Sequence, residues 1–169
     1  MSIPFNADEI LEMAEQIERN GARFYRRAAE GAINPRNRRL LLDLAAREDE
    51  HEKTFASMRA NLADGERETT VFDPEGQAAL YLRAMADGYV FDIEADPIKL
   101  FTGKEAMEKI LLTAMGMEKD SIAFYLGMKE FVPQRLGRER LDGIIKEEMG
   151  HIAILSKELT CLKEERGSR

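Results

Sequence analysis

The sequence contains few of the residues that build disulfide-rich, turn-rich or thiolate-bound proteins. Of its 169 residues, one is cysteine, five are proline, twelve are glycine and none is tryptophan. The single cysteine, Cys161, excludes an intramolecular disulfide and a four-thiolate metal site. Since Ala, Leu, Glu, Arg, Met and Lys dominate what remains, an all-α protein is the first hypothesis.

Long apolar runs and clusters of one charge are also missing. No run approaches 18 consecutive apolar residues, and the first ten residues have neither the basic region nor the apolar core of a signal peptide. The net charge is −7, with Lys and Arg dispersed among Asp and Glu, so nucleic acid is not expected as a partner. We therefore expect a cytoplasmic protein that uses neither a membrane nor a nucleic acid.

Four long segments show apolar residues at helical spacing, and we interpret residues 1–169 as one domain. Capping boxes mark the start of the first helix (Asn6, Glu9) and of the third helix (Thr102, Glu105). The connection between the second and third helices is long enough to run the length of a bundle, and it contains a short helix near 75–87. The sequence therefore predicts a four-helix bundle of two hairpins, with helices at about 6–30, 36–63, 103–130 and 134–164 and a crossover at 64–102.

The two predicted hairpins are copies of one unit. A shift of 100 residues aligns 11 identical residues over the 42 positions from 10 to 51 without a gap, where roughly three would be expected at ordinary composition. Such a repeat predicts pseudo-twofold symmetry. The identities are Ile10, Leu11, Ala14, Glu18, Phe24, Tyr25, Glu30, Arg38, Leu41, Glu48 and His51, each repeated 100 positions later.

Six of the repeated residues are polar and lie on the apolar faces of the helices. Each helix directs one glutamate into the core near its middle, and the second and fourth helices add a histidine one turn later. Four buried carboxylates would repel one another and would be costly to desolvate, whereas two divalent cations would balance their charge. Oxygen ligands with two imidazoles suit iron or manganese, and zinc can also bind. The predicted metal ligands are Glu18, Glu48, His51, Glu118, Glu148 and His151.

A single Glu-x-x-His on a charged helix is usually a solvated pair. Here the motif occurs twice, and each copy begins 30 residues after a glutamate on an apolar face; one Glu from each of two helices and one Glu-x-x-His from each of the other two is the pattern of di-iron carboxylate bundles. The remaining carboxylates nearby lie off the apolar faces, and we interpret them as solvated: Glu15, Glu50, Glu52, Asp120 and Glu147.

Tyr25 and Tyr125 each follow an inward glutamate by two helical turns on the same face. They can be core aromatics whose hydroxyls are satisfied. They can also hydrogen-bond a ligand carboxylate or relay an electron. The sequence leaves both interpretations open.

The segments QIERNGARFYRRAAE, AREDEHEKTF, GMEKDSIAFY and KEEMGHIAIL resemble the rubrerythrin-like branch of the ferritin-like superfamily. The resemblance implies an all-α ferritin-like four-helix bundle with a di-iron centre held by the six residues above, with Glu48 and Glu148 as bridging carboxylates. Two departures stand out. Rubrerythrins carry a four-cysteine iron domain that delivers electrons, and they have a further glutamate where this sequence has Ser121.

Three functions agree with these features. The first is a di-iron oxidoreductase that reacts with oxygen or peroxide and receives electrons from a separate donor protein. The second is iron handling, with ferroxidase activity, and the third is a bundle in which the metals only stabilise the fold. The long charged helical pairs are compatible with a homodimer.

Overall fold

The computed structural model describes residues 6–67, 77, 80–82 and 106–167, and within these residues the only regular elements are helices. The prediction of an all-α fold is therefore confirmed. Short elements are a helical turn at Asp64–Arg67 and a 3₁₀ helix at Gln134–Leu136. The four long helices are α1 (Ala7–Gly31), α2 (Pro35–Ala60), α3 (Met107–Met128) and α4 (Arg138–Gly167).

The starts of α1 and α2 follow directly from their sequences. The backbone N–H of Glu9 donates to the Asn6 side chain at 2.8 Å, and the Glu9 carboxylate accepts from the Asn6 N–H at 3.0 Å. This is the predicted capping box. Asn34 caps α2 with a single bond, its side-chain oxygen accepting from the N–H of Arg36 at 2.9 Å, and Pro35 occupies the first helical position, where no donor is needed. The second predicted capping box, at 102 and 105, lies outside the described residues.

Five predicted helix boundaries were wrong by a few residues. α4 begins at Arg138 rather than at 134, because Gly137 has a φ of +86° and separates α4 from the preceding 3₁₀ turn. α2 ends at Ala60 rather than at 63, since Asn61 leaves the helical conformation with ψ near 7°. α3 ends at Met128 rather than at 130. α3 begins at Met107 rather than at 103, because the preceding Ala106 is not helical, with a ψ of 139°. α4 continues to Gly167 rather than ending at 164.

The four helices pair as two hairpins. α1 packs along α2, and α3 packs along α4. Most of the predicted crossover lies outside the described residues, but Gln77 and residues 80–82 are helical, in agreement with a short helix there. The Tyr81 hydroxyl donates to the backbone carbonyl of Ala123 in α3 at 2.7 Å. Across the described residues, no helix combines the length and the apolar content that a membrane crossing requires.

The apolar core is divided into two clusters, one toward each end of the bundle. One cluster takes residues from the start of α1, the end of α2, the end of α3 and the start of α4, and the other takes residues from the opposite helix ends. The six predicted ligands lie between the clusters in every helix. In α1, for example, Ile17 belongs to the first cluster and Phe24 to the second, with Glu18 between them. The fold therefore surrounds a central polar layer with apolar side chains.

Candidate metal centre

All six predicted ligands are buried in the central layer, each at most 4% exposed. Each glutamate continues the apolar face of its helix, so the rotation that buries the neighbouring Leu, Ala and Phe residues also turns the carboxylate inward. Ionised groups are rarely buried so completely without a compensating charge. The structure thus brings together, at the centre of the bundle, the residues that the sequence pattern selected.

The six side chains form two overlapping groups. Glu18, Glu48, His51 and Glu148 make up the first, and Glu48, Glu118, Glu148 and His151 the second. Within each group one ligand atom per residue lies within 4.8 Å of the others. Glu48 and Glu148 belong to both groups, so each could bridge two cations. The family resemblance implies a bridging role for the same two residues.

Six carboxylate oxygen and imidazole nitrogen atoms at the centre lack hydrogen-bond partners among the described residues. His51 Nδ1 lies 3.0 Å from Glu148 Oε1, and His151 Nδ1 lies 2.9 Å from Glu148 Oε2, yet neither contact has hydrogen-bond geometry. This arrangement is typical of metal ligands, whose oxygen and nitrogen atoms point toward a shared cation position and not toward one another. The atoms concerned are Oε2 of Glu18, Oε1 of Glu48, both carboxylate oxygens of Glu148 and Nδ1 of both histidines. Carboxylate oxygen and imidazole nitrogen together fit iron, manganese or zinc.

Burial shifts the acid–base equilibria of three carboxyl groups toward the neutral form. It raises the pKa of Glu18 to about 8 and that of Glu118 to about 7. Burial, together with the adjacent Glu18 charge, raises the pKa of Glu48 well above its ordinary value. Without a cation, the Glu18 carboxyl group would be mostly protonated at pH 7 and that of Glu118 about half protonated.

The pKa values of the remaining three groups are shifted toward the charged forms. Burial and the charge of Glu48 oppose ionisation of Glu148, but contacts with His151 and His51 outweigh them and place the pKa of Glu148 below its ordinary value. Burial likewise opposes the imidazolium form, yet contacts with Glu118, Glu148 and Glu48 raise the pKa of His151 to about 12. The pKa of His51 is raised despite burial, chiefly by Glu148. Protons and cations therefore compete for the same atoms.

Tyr25 and Tyr125 connect the two hairpins through the polar layer. The Tyr25 hydroxyl in α1 donates to Glu118 in α3, and the Tyr125 hydroxyl in α3 donates to Glu18 in α1. Burial and the surrounding carboxylates raise the pKa of both phenols well above the ordinary value, so both remain protonated donors. Of the two interpretations that the sequence left open, the structure therefore shows the hydrogen bond to a predicted ligand, and both rings also lie in the core.

The structure gives Glu147 a role that the sequence did not indicate. Glu147 lies off the apolar face of α4 and was expected to be solvated, yet its Oε2 lies 3.1 Å from Nε2 of His51 in α2. Its side chain remains 53% exposed, which explains why helical periodicity alone could not identify the contact. A usable signal would have been the requirement that the second ring nitrogen of a ligating histidine find a partner.

Ser121 occupies the position where the family resemblance placed a further glutamate. Its hydroxyl donates to the Met117 carbonyl at 3.0 Å within α3, so it supplies no carboxylate to the site. Ser121 lines a small cavity beside the centre, together with Ile17, Gly21, Tyr25, Glu48, Met117 and Glu118. The smaller side chain thus leaves space on this side of the polar layer.

A groove between α2 and α4 leads from the surface to the other side of the centre. It has a volume of about 460 Å³, and His51 and Glu147 are part of its wall. The remaining lining residues are mostly polar or charged: Glu50, Lys53, Thr54, Ser57, Arg140, Gly143 and Ile144. A small polar molecule could therefore approach the edge of the His51 ring from solvent.

Comparison with known proteins agrees with this geometry. The family model described as Rubrerythrin matches residues 9–159. The fold is similar to that of a Thermotoga maritima protein classed as a ferritin-like diiron-carboxylate protein, with a TM-score of 0.72, 24% sequence identity, and coverage of 93% of this chain and 96% of that chain. No curated protein matches the sequence significantly. At this level of identity the structural likeness shows the ferritin-like fold, and thereby confirms the predicted fold class.

Proposed function

This chain belongs to the rubrerythrin family, and we propose that it is a di-iron oxidoreductase that reduces peroxide or oxygen. The observation that carries the proposal is the pair of overlapping ligand groups that share Glu48 and Glu148. Two cations bound there would be adjacent and bridged, and each would have one histidine. Two ferrous ions would supply the two electrons that, together with two protons, convert hydrogen peroxide to two water molecules.

The surrounding residues support this use of the site. Four glutamates balance the charge of two divalent cations, and the phenols of Tyr25 and Tyr125 hold two of those glutamates in place. The apolar clusters on either side keep bulk water from the polar layer. The cavity next to Ser121, with a volume of about 10 Å³, has space for about one water molecule beside Glu48.

Electrons must return to the site after each turnover. A four-thiolate centre could supply them, but the 169 residues contain one cysteine. We therefore propose that the electrons come from a donor outside these residues.

A rapid-mixing experiment tests the proposed reaction. The protein, loaded anaerobically with two equivalents of Fe(II), is mixed with hydrogen peroxide or with oxygen, and the growth of ferric absorbance is followed. We expect rapid oxidation in the wild type and in Glu12→Ala, a control variant that removes an exposed carboxylate from the same helix as Glu18. Glu18→Ala should be slower by at least tenfold. Equal rates in Glu18→Ala and wild type would contradict the proposal.

Iron handling is the second candidate, and the groove favours it. Glu147 places a carboxylate on the wall of the passage to His51, where it could attract ferrous ions, whereas the carboxylate of Glu50 is paired with Lys53 at 2.6 Å. Under this alternative the ferric product would leave the site, and a second addition of Fe(II) would be oxidised as rapidly as the first without any reductant. Under the oxidoreductase proposal, the ferric ions stay bound and further turnover requires an electron donor.

A further inference from the structure

The two halves of the polar layer differ in one contact. His51 Nε2 lies 3.1 Å from Glu147 Oε2. His151 Nε2 is buried, and among the described residues it has no hydrogen-bond partner. The repeat places Arg47 at the position equivalent to Glu147, and a guanidinium cannot accept a hydrogen bond from an imidazole. The pseudo-twofold symmetry is therefore broken at the outer edge of one histidine ring.

Such a contact has a defined effect on a ligating imidazole. In both histidines Nδ1 faces the carboxylates of the centre, so Nε2 must carry the ring proton when Nδ1 binds a cation. A carboxylate that accepts a hydrogen bond from this N–H fixes the tautomer and restrains rotation of the ring. It also makes Nδ1 a stronger metal ligand. Glu147 meets these requirements for His51.

From this asymmetry we infer that Glu147 is a positioning residue for His51 and makes the two cation positions unequal. The position that includes His51 binds a divalent cation more tightly than the position that includes His151. This inference rests on the proposed two-metal site. It adds the order in which cations occupy the two positions.

The contact with His51 can be separated from other roles of Glu147. Its carboxylate also approaches Arg47, with 3.9 Å between Oε2 and the guanidinium nitrogen, which is a long and exposed ion pair. Exposed pairs of this kind contribute little to stability. Because the Glu147 side chain is half exposed, its truncation should leave the metal-free fold intact, and Arg47→Ala serves as the matched control.

Titration with Co(II), followed by calorimetry and visible absorbance, tests the inference. The wild type should bind two equivalents in two unequal steps. Glu147→Ala should weaken the tighter step by about 10- to 100-fold, the usual effect of removing a carboxylate behind a ligating histidine. Glu147→Gln should weaken the tighter step less, because its amide oxygen can still accept a hydrogen bond from the Nε2–H group. Arg47→Ala should leave both steps unchanged.

Two backgrounds assign the effect to the correct ring. In the His151→Ala background, adding Glu147→Ala should weaken the remaining tight Co(II) step as strongly as in the wild type. In the His51→Ala background, adding Glu147→Ala should leave the Co(II) affinity of the remaining step unchanged. An equal response in both backgrounds, or unchanged binding in Glu147→Ala, would overturn the inference. A wild type that fails to bind two equivalents would instead contradict the proposed function.

Nitrogen-15 NMR supplies a readout that requires no affinity measurement. The chain contains two histidines, so the Zn(II)-loaded protein should show two rings bound through Nδ1. The Nε2 proton of His51 should exchange slowly with solvent and resonate downfield, because the N–H group donates a hydrogen bond to Glu147. Glu147→Ala should shift that signal alone and accelerate its exchange. Identical Nε2 signals in the wild type and in Glu147→Ala would show that Glu147 does not hold the ring.

Discussion

The hydroxyl of Tyr125 on α3 donates a hydrogen bond to the carboxylate of Glu18 on α1, in the other hairpin. The repeat generates the reciprocal bond from Tyr25 to Glu118. Each hairpin therefore orients a glutamate of the other, and the polar layer can assemble only when the hairpins are docked. Metal binding and docking of the two halves are thus coupled through a pair of phenols.

Tyr125→Phe should isolate the contribution of one such bond. The phenyl ring would keep its packing against Phe55, whose centroid lies 5.1 Å from that of Tyr125, while Glu18 would lose its donor. A buried acceptor left unsatisfied costs about 1–3 kcal/mol, so we expect the Co(II)-loaded protein to lose that much free energy of unfolding in urea. Tyr81→Phe, which removes a half-exposed hydroxyl, should cost less. Equal losses in the two variants would contradict a special role of the Tyr125–Glu18 bond.

Gly21→Ala should weaken binding of both cations. A Cβ at position 21 would lie 3.2 Å from Glu48 Oε2, so the carboxylate shared by both ligand groups would have to move. We expect both Co(II) steps to weaken by about tenfold or more, by analogy with the loss of other groups that orient ligands.

Gly116→Ala in α3 is the matched control for this substitution. A Cβ there would meet nothing within 4 Å, and alanine in a helix is favoured over glycine by about 1 kcal/mol. This variant should be slightly more stable than wild type, with unchanged Co(II) affinity. Wild-type affinity in Gly21→Ala would show that Glu48 can shift without cost.

How far the sequence predicted this molecule depends on how local each feature is. The Asn6–Glu9 cap and the inward rotation of Glu18 follow from residues within one or two turns of a helix, so pattern and charge sufficed. The contact between Glu147 and His51 joins two helices, and it depends on their relative rotation and on side-chain rotamers that periodicity does not encode. The start of α4 was missed because the apolar pattern does not reveal the local turn in which Gly137 adopts a positive φ and its N–H donates to the Gln134 carbonyl.

Glu48→Gln should have opposite effects on the metal-free and the metal-loaded protein. In the absence of cations, Glu48 is one of four crowded carboxylates, and burial and the charge of Glu18 raise its pKa. The substitution removes this carboxylate. The variant should therefore be more stable than wild type at pH 8 in the presence of a chelator. Co(II) should stabilise the wild type by about 2.7 kcal/mol per site at 100 times Kd, and the variant much less, since an amide is a poor replacement for a bridging carboxylate. A variant that gains as much from Co(II) as the wild type would contradict the bridging role.

The pH dependence of stability should reverse when cations bind. A carboxyl group whose folded-state pKa exceeds its unfolded value binds its proton more tightly in the folded protein, so the free energy of unfolding falls as pH rises between the two values. For Glu18 the window runs from 4.5 to about 8, and for Glu118 from 4.5 to about 7. The raised pKa of His151 acts in the same direction above pH 6.5, whereas the lowered pKa of Glu148 acts only below 4.5.

Urea unfolding in chelator should therefore show the metal-free protein losing stability from pH 5 to pH 8, by on the order of 1 kcal/mol per pH unit for each group within its window. With saturating Co(II) the trend should be opposite, because cations bind the deprotonated ligands and their apparent affinity rises with pH. Glu12→Ala, which leaves the polar layer intact, should reproduce both trends. A metal-free protein that gains stability over this range would show that its buried carboxylates are not held neutral by protons, and parallel trends with and without Co(II) would show that cations and protons do not compete for them.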